Sequence, residues 1–350
     1  MRKFGSIMQV SFTYVGTVVG AGFATGQEIL TFFTRYGWLA TLTIGIASAL
    51  FVWLGIKLMF LAHEVKAQSY EDLNKVLFGE RIGEWISLFT LVTLFGVTTV
   101  MLAGAGSVFK EQFHLPYQLG LMVTLLLAYA VLNKGMKAIV AVNSIVVPMM
   151  LCFSSIIVWY SWDLPGSGNW LHLTSDYPLE RIWFAPFLYA AFNLSMAQGV
   201  LVPLGAQVRD RSVLFWGGIW GGVAIGIMLL AGHFALSAHM PGISQFDIPM
   251  GQLIQKVGPV LQLLFLCVIY GEIFTTFIAD VYGLSLQLEQ RTKLPRTWIL
   301  WLVLTLSYLV SLLGFKALLT TLYPLFGLIS MAWMIMMIMR RDRPPRTNQG

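Results

Sequence analysis

Charged side chains are scarce in this sequence. They make up 11% of it, less than half of the roughly 25% found in soluble domains. A solvated globular protein is therefore excluded. No stretch is long and polar enough to form a separate soluble domain. Cysteine is nearly absent as well. Cys152 and Cys267 both lie inside apolar runs, which leaves no disulfide framework and no zinc-type spacing. They read as small core residues. Catalytic signatures are missing too: the chain holds no H-E-x-x-H, no G-x-S-x-G and no compelling Ser–His arrangement. It does not read as an enzyme. Nor does it carry the pore loop or charged ring of a channel.

What is present is apolar. Of 350 residues, 57% are hydrophobic. A spanning helix needs about 20 mostly apolar residues, and ten stretches qualify: 7–34, 38–62, 83–109, 117–133, 138–160, 181–205, 213–238, 258–288, 297–314 and 316–338. The fold class is thus an all-α integral membrane protein of about ten transmembrane helices. Met1-Arg2-Lys3 resembles the start of a signal peptide. The apolar run from Ile7 continues past Leu30 without a cleavage site, so it reads as an uncleaved first span.

The net charge of +6 does not point to nucleic acid, because the basic residues are scattered over loops. Their placement instead orients the chain. Ten spans put both termini on one side, and only Arg35, Lys110, Arg181, Lys256 and Lys316 of the 22 basic residues fall on the other. The positive-inside rule then makes both termini cytoplasmic, in the inner (plasma) membrane. Residues 339–350 read as a short basic cytoplasmic tail.

Span one contains "YVGTVVGAGFATGQEIL", with Gly16, Gly20, Gly22 and Gly26 followed by Glu28. Glycine weakens a helix by about 1 kcal/mol relative to alanine, so Gly20-Ala21-Gly22 predicts an unwound point in mid-membrane. Non-helical backbone at that depth is tolerated only against protein or a cavity. The freed carbonyls could coordinate a cation, and the N–H groups opening the next half-helix could hold a carboxylate. Glu28 could cap, gate or hold a positive group. The competing explanation is that the Gly16/Gly20 and Gly22/Gly26 spacings only let helices pack closely. Packing is the better explanation for "WGGIWGGVAIG" in span seven, which has nothing polar within it.

Span six supplies a second candidate interruption. Its middle holds Asn193, Ser195, Gln198 and Gly199, with Pro186 and Pro203 toward the ends. This lies five spans, about half the chain, after the glycines of span one. Interrupted segments at matching positions in two halves point to a secondary-transporter binding site. Five is odd, so the second half would be inverted: residues 1–162 form one five-helix repeat and 163–338 the other, with discontinuous helices one and six.

On these residues the chain resembles the amino acid–polyamine–organocation superfamily with its LeuT-type fold, which serves as a standing example of inverted repeats. "VGTVVGAGFATGQE" more closely resembles the YkvI-like bacterial membrane proteins. The resemblance implies a sodium site built from the carbonyls of Gly16 and Val19 with Thr275 and Thr276 of "EIFTTFIAD", and the Glu272 carbonyl one turn before. Oxygen-only coordination suits a hard cation. Phe23 stands where sodium-coupled relatives often carry a polar residue, which speaks against a second sodium site. Proton-coupled relatives share similar glycine motifs, so the resemblance leaves sodium or proton as coupling ion. It also implies substrate contacts from Gly20, Gly22, Ala24, Gly26 and Glu28, from Thr98 in span three, and from Asn193, Ser195 and Gln198. Trp183, Phe187 and Phe192 could form an aromatic lid.

Glu272 and Asp280 both fall inside span eight, where ionisable groups are functional by default. Asp280 could gate or carry a coupling proton; pairing with Arg209 or Arg211 is the structural alternative. Thr98 and Thr99 could instead bond back to their own helix. His63, His233 and His239 read as interface histidines. Together these features predict ion-coupled uptake of a small amino acid or related organic solute. The alternative is a non-transporting solute sensor or germinant-receptor-like subunit. The small solute and the lipid bilayer are the implied partners; no cofactor is implied beyond the ion.

Overall fold

A computed structural model of the chain describes residues 2–245, 249–255 and 258–339. The basic tail from Arg340 onward, and Lys256, lie outside the described residues. The described residues form helices and no strand. In chain order these are α1 (Arg2–Val18), α2 (Ala21–Thr25), α3 (Gln27–Phe32), α4 (Leu39–Val65), α5 (Tyr70–Phe78), α6 (Glu80–Glu111), α7 (Tyr117–Leu132), α8 (Met136–Trp162), α9 (Asn169–His172), α10 (Leu179–Gln207), α11 (Arg211–Ser237), α12 (Pro249–Gln255), α13 (Pro259–Thr292), α14 (Arg296–Ser311) and α15 (Phe315–Met339).

Every stretch read as a span is helical. Six helices are long and apolar enough to cross a membrane: α4, α6, α8, α10, α11 and α13. Helices α7, α14 and the Phe326–Met339 part of α15 are shorter and apolar. Span one comprises α1, α2 and α3. The last two spans separate at Gly314, whose φ of 92° ends the helical path. The outer surface carries large apolar side chains such as Leu126, Ile145 and Leu313, as lipid contact requires. Several exposed tryptophans, such as Trp85, Trp159 and Trp298, lie toward helix ends, where aromatic side chains settle at a bilayer interface, while exposed Trp53 sits in mid-α4. Cys152 and Cys267 are exposed on this surface rather than in the core. In lipid an apolar residue gains little by turning inward.

Two groups of spans pack internally. Helices α1, α4, α10 and α11 form one; α6, α7, α13 and α14 form the other. Helix α8 touches α1, α11 and α13, and so joins the two. The glycines of α11 serve the first group. A Cβ on Gly221 would meet the ring of Tyr14, and one on Gly222 would meet Val52. Tyr14 donates its hydroxyl to the Phe51 carbonyl at 2.7 Å, and Ser11 donates to the Gly217 carbonyl at 3.0 Å. Close backbone approach, as expected, is what that glycine ridge provides.

Loop contacts sort to two ends. At one end Lys3 pairs with Asp210 at 3.0 Å and Arg211 with Glu64 at 2.9 Å. There α5 is fastened to the end of α13, where buried Glu71 pairs with Arg291 at 2.8 Å and with Lys75 at 2.7 Å. The Lys3 ammonium holds the Asp210 carboxyl below the usual aspartate range. The Glu71 carboxylate holds Lys75 above the usual lysine range. At the other end Trp38 N–H bonds the Leu173 carbonyl at 2.8 Å, and Ser175 donates to the Arg35 carbonyl at 3.0 Å. The ends gather the loops that an even number of crossings would place together.

One expectation fails. Span six is a single unbroken helix, α10, and the expected discontinuity there is absent. Its side-chain amide donors are satisfied without unwinding. The Asn193 amide donates to the Tyr189 carbonyl at 3.0 Å, and the Gln198 amide donates to the Ser195 carbonyl at 2.9 Å. Gly199 marks a crossing rather than a break: a Cβ on Gly283 would lie 2.7 Å from the Gly199 Cα.

Gly283→Val should force α10 and α13 apart and lower the thermal midpoint in detergent by the equivalent of about 1–3 kcal/mol, the usual cost of overpacking. Gly45→Ala meets nothing within 4 Å, and should hold or raise that midpoint, since alanine is the better helix former.

Candidate functional site

The break in span one starts from the helix ladder. Its last bond in α1 runs from Val19 N–H to the Val15 carbonyl at 2.8 Å, and the ladder resumes with Ala24 N–H on the Gly20 carbonyl at 2.9 Å. Gly20 between them is extended, with φ −129° and ψ −165°. The Val19 carbonyl therefore points away from the ladder. Thr276 of α13 donates its hydroxyl to it at 2.9 Å. A Cβ on Gly20 would lie 3.3 Å from that same Thr276 oxygen. Of the residues implied for a cation site, Val19 and Thr276 thus meet directly.

Thr275 and Glu272 belong to the same turn of α13. The Thr275 hydroxyl donates to the Glu272 carbonyl at 3.0 Å, and both residues are fully buried. The Glu272 carboxylate has no hydrogen-bond partner among the described residues. Asp280, two turns on, is buried with Oδ2 likewise unpartnered. Arg211, offered as its structural partner, is engaged by Glu64 and lies over the Phe60 ring. Gly16 sits slightly apart from α13: its Cα faces Asn143 and Val147 of α8.

A second bend follows at Gly26, whose φ of 86° is left-handed. Only glycine adopts this freely, and a Cβ there would come 2.8 Å from Met250 Cγ. The bend turns buried Glu28 back over the preceding segment, so that its carboxylate lies against Gly22 and beside Tyr189. Tyr189 is also the hub of an aromatic cluster with Phe32 at 5.3 Å, Phe33 at 5.1 Å and Phe51 at 6.0 Å. The sequence reading missed this cluster. Of the three residues expected to form an aromatic lid, Trp183 and Phe187 face outward, while Phe192 is buried on α10. Tyr189 looked like one more apolar-run aromatic, and only the bend at Gly26 brings the Phe32–Phe33 pair onto it.

Ala24 and Phe23 line a small apolar cavity of about 30 Å³ with Met150 and Phe153 of α8 and Met228 of α11. That is about one water's share of the liquid, so the packing on that side of the break is tight. Thr98 and Thr99 are buried but return their hydroxyls to the Leu94 and Gly96 carbonyls of their own helix, at 2.7 and 2.6 Å. Asn193 and Gln198 likewise turn their amide N–H groups onto α10. Ser195 is buried on the same helix. The histidines behave as interface residues: His63 contacts the Gly205 carbonyl at 3.3 Å, and His233 the Thr34 hydroxyl at 3.2 Å.

The oxygen set around Thr276 fits a hard cation. The Val19 carbonyl and the Thr276 hydroxyl meet there, the Thr275 hydroxyl and the Glu272 carbonyl lie on the adjoining turn of α13, and the Met101 sulfur stands beside Gly20. Among the described residues no three His, Cys, Asp or Glu side chains cluster as a transition-metal site would need.

Thr276→Val keeps the side-chain shape but strands the Val19 carbonyl. It should cost about 1–3 kcal/mol of stability, the penalty for an unpaired buried acceptor, while Thr276→Ser should cost less. Thr98→Val loses only a bond within its own helix and should shift the thermal midpoint less than Thr276→Val does.

No family model matches the chain. The uncharacterized membrane protein YkvI of Bacillus subtilis strain 168 is 39% identical over 333 residues, spanning 94% of both chains. Among solved structures, MhsT in complex with L-phenylalanine superposes with a TM-score of 0.70 at 15% identity, over 94% of this chain and 88% of that one. The substrate-bound, outward-open state of a Na+-coupled sialic acid symporter superposes with a TM-score of 0.71 at 12% identity, over 97% and 80%. These likenesses establish the LeuT-type fold. At such low identity they carry nothing finer.

Proposed function

We propose that this chain, which belongs to the YkvI family of bacterial membrane proteins, is a secondary transporter. Its cargo is a small amino acid or related organic solute, and its coupling ion is sodium, with the proton as the alternative. One observation carries the reading: the helix break at Val19–Gly20, whose freed carbonyl is met by Thr276 across the span one–span eight contact. A membrane helix tolerates such a break only where the freed backbone is buried in protein or lines a cavity.

The cation would be held by the carbonyls of Gly16 and Val19 with Thr275, Thr276 and the Glu272 carbonyl. The Thr276 hydroxyl already reaches the Val19 carbonyl at 2.9 Å. The solute would lie at the second half of the break, with its carboxylate on N–H groups near Gly22 and its ammonium toward Glu28. The neighbours support this choice of cargo and ion: one was solved with L-phenylalanine and the other is Na+-coupled. The apolar wall of Phe23 and Ala24 suits a solute with a small apolar part.

Alternating access would move the group α1, α4, α10 and α11 against α6, α7, α13 and α14. The two inverted halves, 1–162 and 163–338, belong to the same proposal, as do cytoplasmic termini in the inner membrane. Asp280 would form part of the inner gate. It lies four residues beyond Thr276, about 6 Å along the helix.

A thermal-shift screen of amino acids, amines and osmolytes, run in sodium and again in choline, tests the reading, because a ligand that binds the folded state raises its midpoint. A solute that stabilises the protein only with sodium should also be accumulated by proteoliposomes under an inward sodium gradient. Stabilisation without flux would replace transport by solute sensing. Flux that follows a pH gradient and ignores sodium would move the coupling to the proton.

A further inference from the structure

The cation site has an unclaimed neighbour on a third helix. Asn143 of α8 is fully buried, and neither its Oδ1 nor its Nδ2 has a hydrogen-bond partner among the described residues. A buried amide with both ends unpaired is costly to the fold. Other buried amides pair at least one end, as Asn193 and Gln198 do through their N–H groups on α10, although the Gln198 oxygen is left without a partner among the described residues. Asn143 instead faces Gly16, where a Cβ would overlap its Oδ1. The absence of a side chain at position 16 is what leaves room for the amide.

The register of the helices places this amide within about one turn of the Thr275–Thr276 pair. Helices α8 and α13 touch where a Cβ on Gly271 would meet Val146 at 3.2 Å. They run in opposite directions if the chain crosses the membrane at each span. Moving toward the same end, Asn143 lies three residues from Val146 and Thr275 lies four from Gly271. At 1.5 Å per residue, the two differ in depth by about 1.5 Å. The end of α1 is thus flanked by Asn143 at Gly16 and by Thr276 at Gly20.

We propose that Asn143 supplies its side-chain oxygen to the cation site, which is then built from spans one, five and eight. This rests on the cation reading above. An amide oxygen is a hard neutral ligand, like the carbonyls already there. It would complete the oxygen shell without adding charge, which suits a monovalent ion. It would also tie α8, which touches both packing groups, to the occupancy of the site.

The test is sodium-dependent stabilisation of the purified protein in detergent, titrated at constant ionic strength with choline. The wild-type protein should show a saturable rise in thermal midpoint. Asn143→Leu, similar in shape, should raise the half-saturating sodium concentration at least tenfold and leave the sodium-free midpoint unchanged or higher. A merely structural amide would instead move the sodium-free midpoint. Asn143→Asp keeps an oxygen in place and should restore the response. If the leucine variant does not fold, Asn143→Ser, too short to reach, replaces it with the same expectation. Wild-type half-saturation in the leucine or serine variant overturns the proposal and leaves the cation reading standing. No sodium response in the wild-type protein overturns both.

Discussion

The structure turns on a carbonyl group that has lost its helix. At Val19 the ladder of α1 stops, and the hydrocarbon offers no water to replace the missing donor. Thr276 supplies the hydrogen bond from α13. That one contact fixes the depth of the break against span eight and places Gly20 beside the same hydroxyl. It also sets which atoms are free to exchange one partner for another. A hydroxyl can donate to a carbonyl or stand beside it as a second oxygen ligand. The polar chemistry of the site follows from this exchangeability.

Glycine does three different things in this chain, and the partner decides which. On α11 it lets Tyr14 and Val52 approach the backbone, and the helix stays whole. At Gly26 it permits a left-handed turn that brings Glu28 over Gly22 and the Phe32–Phe33 pair onto Tyr189. At Gly20 it yields to an extended residue where α13 has a hydroxyl ready. Gly199 lies in the middle of α10 and breaks nothing, because its bare face is filled by Gly283.

The buried polar residues divide along similar lines. Thr98, Thr99, Asn193 and Gln198 each donate to their own helix, so that their donors are satisfied locally. Glu272 and Asn143 find no such partner among the described residues. Both lie around the same turn of the structure as the break. Unsatisfied groups in a membrane interior carry a cost that function has to justify, and these two lie on the helices that meet α1 at Gly16 and Gly20.

The sequence by itself determined the fold class, the ten apolar stretches, the break in span one and the pairing of span one with span eight through a recognisable motif. The first three are written in composition and local periodicity, because lipid demands long apolar runs and glycine lowers helix stability wherever it stands; the pairing with span eight was implied only by the resemblance. Only the tertiary structure decided that span six stays intact, that Tyr189 gathers an aromatic cluster and that Asn143 faces Gly16. Each depends on what lies opposite: an amide of either kind can satisfy itself on its own helix or reach across, and glycine can break a helix or bring two together. Local sequence does not contain the opposing surface, so it could name the polar residues of the membrane interior without telling which of them still lack a partner.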